Sequence, residues 1–315
     1  MVAKLSDVAR LAGVSVTTVS RVINNYSSLS EKTIQKVHAA MRELNYQPNA
    51  LARAMQGKGS KFVGLILPNL TNPFYAELSN EIEYQLFQRG YKTIIASSAE
   101  NEAIEHEYLA MLSANQVDGI ISSSHNLAIK EYQQLSAPIV SFDRRLAETI
   151  PTVTSDNYQG GQLAAQYLAD HGCQKIAVLI DEDRSYSPTV NRLQGAVDYL
   201  TQVHLQADPL DVNDLDLRAV FPGEYDGVVA PNDLLAMQII EVFKTANRQL
   251  GRDCWIVGYD GSQLIQKLAP QLPTIVQPSH QLAMRLIEIL MHQIQGLPIE
   301  PELMNPLPVY LHSGE

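Results

Sequence analysis

Seven short stretches of this chain carry the residue types that hold polar small molecules. They are Asn72-Pro73-Phe74-Tyr75, Asp143-Arg144, Asp156, Asn191-Arg192, Asn232-Asp233, Asp260-Gly261 and Gln277-Pro278. Carboxylates accept hydrogen bonds from vicinal hydroxyls, and arginine forks donate to ring and hydroxyl oxygens. An aromatic ring such as Phe74 can cover the apolar C–H face of a sugar. None of the seven is a nucleophile–base pair. A lone Asp156 or Asn232 is more often a helix cap than a ligand contact. Each stretch, however, follows an apolar run that reads as a β-strand, and together they point to one polar binding site.

A second constellation lies near the N-terminus. Thr17, Ser20, Arg21 and Asn24 form a polar stripe at helical spacing. Hydroxyls, an amide and a guanidinium suit base edges and phosphates. The element carrying them is one of two short amphipathic helices broken at Gly13. The first has apolar positions at Leu5, Val8, Ala9 and Ala12, the second at Val19, Val22 and Ile23. Ser6 is expected to cap the first helix, Gly13 to end it in a left-handed turn, and Ser15 to cap the second. This is the helix-turn-helix arrangement, whose second helix enters the DNA major groove.

A third helix is expected from the Ser30 cap through 45, with Ile34, Val37, Met41 and Leu44 closing a three-helix core. Thr33, near its start, is placed to bond a phosphate. Pro48 stops it. Asn49 can cap a short helix over 50–56, ended by Gly57 and Gly59. So short a helix is marginal alone in water. A second copy across a dimer axis would supply its partner.

From residue 62 the pattern changes to strand-like runs alternating with amphipathic helices. FVGLIL, TIIA, GIIS and PIVSF alternate with helices over about 74–89, 103–114 and near 130. After 153–155 the series restarts: helices over about 160–171, 189–203 and 234–247 interleave with IAVLI, DGVVA and CWIVGY. Repeated units of this kind imply α/β architecture, with parallel sheets covered on both faces and ligands at the carboxyl ends of the strands. Two such sheets facing each other make a cleft. A last helix over about 279–295 precedes a Pro-rich stretch and the strand-like VYLH.

Bulk composition sharpens this. The 315 residues carry a net charge of −11. Residues 1–61 hold nine basic and three acidic side chains, a net +6, and the rest carry −17. A basic head on an acidic body directs only the head at a polyanion. Cys173 and Cys254 sit in apolar settings and read as buried thiols, and the N-terminus lacks a signal-peptide core. A cytoplasmic protein outside the membrane is expected. There is no phosphate loop, no metal-ligand spacing and no nucleophile elbow, and Gly160-Gly161 lacks the third glycine of a dinucleotide fingerprint. No cofactor or metal is expected. An enzyme fused to a DNA-binding head and a plain sugar carrier are the less favoured alternatives.

The chain resembles the lactose-repressor/galactose-repressor (LacI/GalR) family of bacterial transcription regulators. The head DVARLAGVSVTTVSRVIN, the connecting ELNYQPNALARAMQGK, the entry NPFY and the late VGYDG carry the resemblance, in order over essentially the whole length. It implies a helix-turn-helix headpiece over 1–46, a hinge helix and linker over 47–61, and a two-lobed core over 62–315. That core would resemble periplasmic sugar-binding proteins, with lobe 1 about 62–156 plus 279–306 and lobe 2 about 157–278 plus the last strand, joined by three crossing strands. The resemblance implies base reading by Val16, Thr17 and Arg21, and phosphate contacts by Ser15, Ser30 and Thr33. The hinge contributes Asn49, Ala52 at the dimer axis, and Met55 where the family usually wedges a leucine into the minor groove. Methionine is apolar and flexible enough for that role. Asn72, Phe74, Tyr75, Asp143, Arg144, Asp156, Arg192, Asn232, Asp260 and Gln277 are the implied effector-binding residues. They look like the lining of ribose-type sugar-binding proteins and favour a free sugar such as ribose, fructose or sucrose. A purine, a phosphometabolite or a protein corepressor is less favoured. Four-chain members carry a leucine-repeat tail that this sequence lacks, so a homodimer on a near-palindromic operator is expected.

Overall fold

The computed structural model describes residues 3–24, 29–47, 59–99, 101–124, 126, 129–180, 187–220 and 225–314. The chain divides into two compact units, Met1–Ser60 and Lys61–Glu315.

In the first unit, helices α1 (Leu5–Ala12), α2 (Val16–Ile23) and α3 (Glu31–Glu43) enclose a small core of Val8, Ala9, Ala12, Val19, Val22, Val37 and Ala40. Gly13 takes φ +67° and ends α1. Ser15 caps α2 by accepting from the Thr18 N–H, and Ser30 caps α3 by accepting from the Thr33 N–H. Two details differ from the sequence reading. The N-cap of α1 is Lys4, not Ser6: the Asp7 carboxylate accepts from the Lys4 N–H at 2.9 Å and also pairs with Arg10. An acidic residue at the third position of a helix serves the orphan N-terminal donors as well as a capping hydroxyl does. Helix α3 stops at Glu43, two residues early, where Asn45 turns left-handed at φ +46°.

The second unit contains two sheets. Strands β1 (Phe62–Leu67), β2 (Lys92–Ser97), β3 (Gly119–Ser122), β4 (Ile139–Phe142) and β5 (Thr152–Val153) form a parallel sheet in the order β2-β1-β3-β4-β5. Helices α4 (Pro73–Gln88) and α5 (Glu102–Ala114) belong to this lobe; the helix expected near residue 130 is a single 3-10 turn, Lys130–Gln133.

The second sheet follows the order β11-β10-β9-β8-β6-β7. It comprises β6 (Lys175–Ile180), β7 (Gln206–Asp211), β8 (Gly227–Val229), β9 (Trp255–Asp260), β10 (Thr274–Val276) and the antiparallel β11 (Tyr310–His312). Its longer helices are α6 (Asn157–Asp170), α7 (Val190–Gln202), α8 (Asp233–Thr245) and α9 (Gln263–Leu268), with a single helical turn at Leu217–Val220. The last helix, α10 (Ser279–Gln295), follows the second sheet in sequence but buries Leu282, Leu286, Ile287, Ile289 and Leu290 in the core of the first. The chain then returns, and Val309 joins the core of the second. Three crossings therefore join the lobes. They are tied together: Asp156 N–H donates to Leu307 O, Leu307 N–H to Thr154 O, and the Ser155 hydroxyl to Gln277 Oε1.

Strand β7 was not anticipated. Its sequence QADPLD is polar and contains Pro209, a pattern tolerated only at a sheet edge, where β7 lies. The glycines at 160 and 161 serve packing. A Cβ on Gly161 would collide with the Arg192 carbonyl, and one on Gly160 with the Tyr259 hydroxyl. Gly161, with Gly195 on α7, lets α6 and α7 cross backbone to backbone, while Gly160 makes room for Tyr259 of β9. Cys173 and Cys254 are buried and free, and burial pushes their thiols up to about 12 and about 11. Among the described residues no helix is long and apolar enough to cross a membrane.

Candidate functional site

On the headpiece, Val16, Thr17 and Arg21 are exposed along α2, with Val16 45% exposed despite its apolar side chain. Ser15 and Ser30 are exposed at the helix starts, and each hydroxyl also meets a threonine hydroxyl, Thr18 at 2.8 Å and Thr33 at 2.9 Å. Asn24 folds back onto the Ser20 carbonyl. Asn49, Ala52 and Met55 lie outside the described residues.

In the second unit the strand ends of both sheets face one cavity of about 120 Å³. Lobe 1 contributes Asn69, Asn72, Phe74, Tyr75, Phe142, Asp143 and Arg144. Lobe 2 and its exit contribute Thr189, Arg192, Pro231, Asn232, Asp260 and Gln277. Nine of the ten residues expected to bind an effector thus line one cleft. Local structure explains their positions. Asn72 caps α4 through its Oδ1, and its Nδ2 reaches across to Asp260 Oδ2 at 3.1 Å. Asn232 caps α8 by accepting from the Leu235 N–H. Asp143 and Asp260 leave their strands with φ of +52° and +106°. Such backbone strain is typical of binding sites. Phe74 is only 2% exposed, its ring packed 5.7 Å from Phe142, so it forms the cleft wall.

The tenth residue, Asp156, does not line the cleft. It caps α6, with Oδ1 accepting from the Gln159 N–H. Asn191 is exposed on α7 and also stays out. The neighbour of Asp156 has the larger role. Asn157 is buried, and its Oδ1 accepts from Arg192 Nε at 2.6 Å while its Nδ2 donates to Asp143, Thr154 and Ser155.

Charge in the cleft centres on Arg192. Its guanidinium stacks 3.7 Å over the Tyr259 ring, donates to the Pro231 carbonyl and lies 3.6 Å from Asp143. Burial raises the Asp143 pKa, and the Arg192 charge opposes that rise. Arg144, 3% exposed, donates to the Ser187 hydroxyl at 2.8 Å. Gln277 Nε2 donates to Asp260 Oδ1 at 2.8 Å. Farther out, Glu77 on α4 accepts from the Gln263 N–H at the start of α9 and from the Ser279 hydroxyl at the start of α10. Carboxylates, amides and a stacked guanidinium, mutually hydrogen-bonded between two lobes, can exchange those bonds for the hydroxyls of a neutral ligand.

Residues 60–307 match the family described as periplasmic binding proteins and sugar binding domain of LacI family, and residues 4–49 match bacterial regulatory proteins, lacI family. The chain belongs to the LacI family. Its relatives agree. It is 45% identical to the sucrose operon repressor of Streptococcus mutans, over 100% of this chain and 99% of that protein. It is 34% identical to the ribose operon repressor of Bacillus subtilis, over 94% and 93%. Among solved structures, the lac repressor dimer bound to operator and an anti-inducer superimposes with a TM-score of 0.81 at 28% identity, covering 99% of this chain and 98% of that one. The LacI family is one of transcription regulators, not enzymes, and this chain is a DNA-binding regulator of the sugar-operon repressor type.

Proposed function

We propose that this LacI-family chain represses a sugar-utilisation operon and that a small sugar in the interlobe cleft controls its hold on the operator. The observation that carries the reading is the convergence of Asn72, Asp143, Arg144, Arg192, Asn232, Asp260 and Gln277, from both lobes, on one cavity. A ligand bonded to both lobes favours the arrangement that brings them together. Sugar and operator then act on one equilibrium, and each alters the affinity of the other by the same factor.

On the DNA side, Val16, Thr17 and Arg21 read bases, and Ser15, Ser30 and Thr33 meet phosphates. Asn49, Ala52 and Met55 serve at the minor groove. The working unit is a homodimer on a near-palindromic operator. Exposed apolar side chains support a self-contact: Leu264 and Leu268, 53% and 68% exposed, lie one turn apart on α9, and Ile95 is 43% exposed on the edge strand β2. Names of relatives put sucrose and ribose first among candidate effectors, with fructose as a constituent of sucrose.

Gel-shift titration on the DNA upstream of neighbouring sugar genes tests the proposal, with and without D-ribose, D-fructose and sucrose. One sugar should change the operator Kd by about 5–150-fold, the usual range of such coupling. Equal affinity under every sugar overturns it.

A further inference from the structure

We propose that Asp233, a residue outside the cleft lining, is a positioning residue for the effector: it holds the turn that aims the Asp260 carboxylate into the cleft. This rests on the reading of the cleft as the effector site.

Asp233 is the first residue of α8 and is 2% exposed. Its Oδ2 accepts from the Gly261 N–H at 2.8 Å, and its Oδ1 meets the Thr274 hydroxyl of β10 at 2.5 Å. Room for the carboxyl exists because β9 has glycine at 258, where any Cβ would collide with Oδ1. The turn it grips is unusual. Asp260 has φ +106° and Gly261 φ +59°. A non-glycine residue stays at such an angle only when its surroundings over-determine it. The Gly261 N–H is held by Asp233 and its carbonyl by Gln266 Nε2 at 2.5 Å. Asp260 itself is then free to spend its carboxylate on Asn72 and Gln277 in the cleft. The residue before Asp233 is Asn232, another lining residue, which caps the same helix through the Leu235 N–H.

An aspartate in the first turn of a helix ordinarily answers the helix dipole at the surface. This one is instead buried against a second carboxylate. Burial and the Asp260 charge raise its pKa to about 8, which favours the protonated acid. The groups facing it are Asp260 and the Gly261 N–H at the end of β9 and Thr274 on β10; of these only Asp260 is ionisable. The Thr274 hydroxyl donates to Oδ1 of the ionised group and the Gly261 N–H to Oδ2; with a proton on Oδ1 the acid keeps the Gly261 bond and donates to the Thr274 oxygen instead, since a hydroxyl can also accept. An asparagine amide can reproduce that pattern without titrating. Above pH 8 the acid ionises beside Asp260, and repulsion between two buried carboxylates disfavours the turn.

The test is calorimetric titration of the full chain with D-ribose, D-fructose and sucrose between pH 6 and pH 9, for wild type, Asp233→Asn and Asp233→Ala. Wild type should bind one sugar, with affinity falling above pH 8. Asp233→Asn should match wild type at pH 6.5 and lose that fall. Asp233→Ala should bind roughly 10- to 100-fold more weakly, as expected for loss of a buried bond that orients a charged group. If Asp233→Ala fails to fold, the Asp233→Asn profile still decides. Wild-type affinity in Asp233→Ala, or an unchanged pH profile in Asp233→Asn, overturns the proposal. A wild type that binds none of the three sugars overturns the effector-site reading beneath it.

Discussion

Arg192 is the residue on which most of the cleft's charge depends. Its guanidinium faces Asp143, Asn157, the Pro231 carbonyl and the Tyr259 ring together. Removing it strands a buried carboxylate, and breaking such a pair is much costlier than never having built it. Arg192→Ala should therefore lower stability by roughly 3 kcal/mol at neutral pH. The sign with pH follows from Asp143, whose folded pKa is already raised by burial and rises further without the guanidinium. A folded state that holds a proton the unfolded chain has released gains stability as pH falls. Melting curves should show the mutant's deficit shrinking as pH falls below neutral; a constant deficit would argue that packing on Tyr259, not charge, is what Arg192 supplies. That polar side chains at several strand ends share one cleft was legible in the sequence, but the bonding of Arg192 to Asp143, Asn157 and Tyr259 was not, because it depends on how distant strand ends come together. Asp156 and Asn157 show the limit. Both follow the same strand, but a one-residue step rotates the side chain about 100° around the helix, which turned Asp156 into a cap and sent Asn157 inward.

Among the elements, the crossing of α6 and α7 matters most to the cleft, because α7 carries Arg192 and α6 carries Asn157. The two helices meet through Gly161 and Gly195, with the Arg192 carbonyl lying where a Cβ of residue 161 would be. Gly161→Ala should therefore force the helices apart, at about 1–3 kcal/mol for overpacking or more where backbone must move. It should also weaken sugar binding by displacing Arg192. Thermal unfolding and calorimetric titration would check both, and normal sugar affinity in a destabilised protein would show that α7 slides without turning its guanidinium. Periodicity identified these helices, yet the reason for the paired glycines appears only when the two backbones are in contact. Strand β7 escaped notice for a different reason. An edge strand has one partner and one solvated side, so QADPLD needs no apolar run and can even accommodate Pro209. The start of α1 was misplaced because a helix start has two chemistries, hydroxyl cap and acidic third residue, and only the second is used there.

At the scale of the whole molecule, charge separates the two jobs. Residues 1–61 carry +6 and the remainder −17. Operator affinity should fall steeply with salt, with a log–log slope of about −0.9 for each phosphate neutralised. Sugar affinity, resting on short bonds in a buried cleft, should barely change. Anisotropy and calorimetry at 50 and 200 mM salt, concentrations that span the range where ion release is felt, would measure the two. Parallel salt dependence would mean that exposed ionic contacts, not short buried bonds, dominate sugar binding.

The cleft polar groups are bonded to one another across the two lobes. Asn72 already holds Asp260, Gln277 holds it from the other side, and Arg144 holds Ser187. A molecule that binds there must exchange its hydroxyls for these internal partners, so part of its gain is cancelled. Internal competition of this kind weakens the grip on any one guest and favours ligands that satisfy several of these groups together.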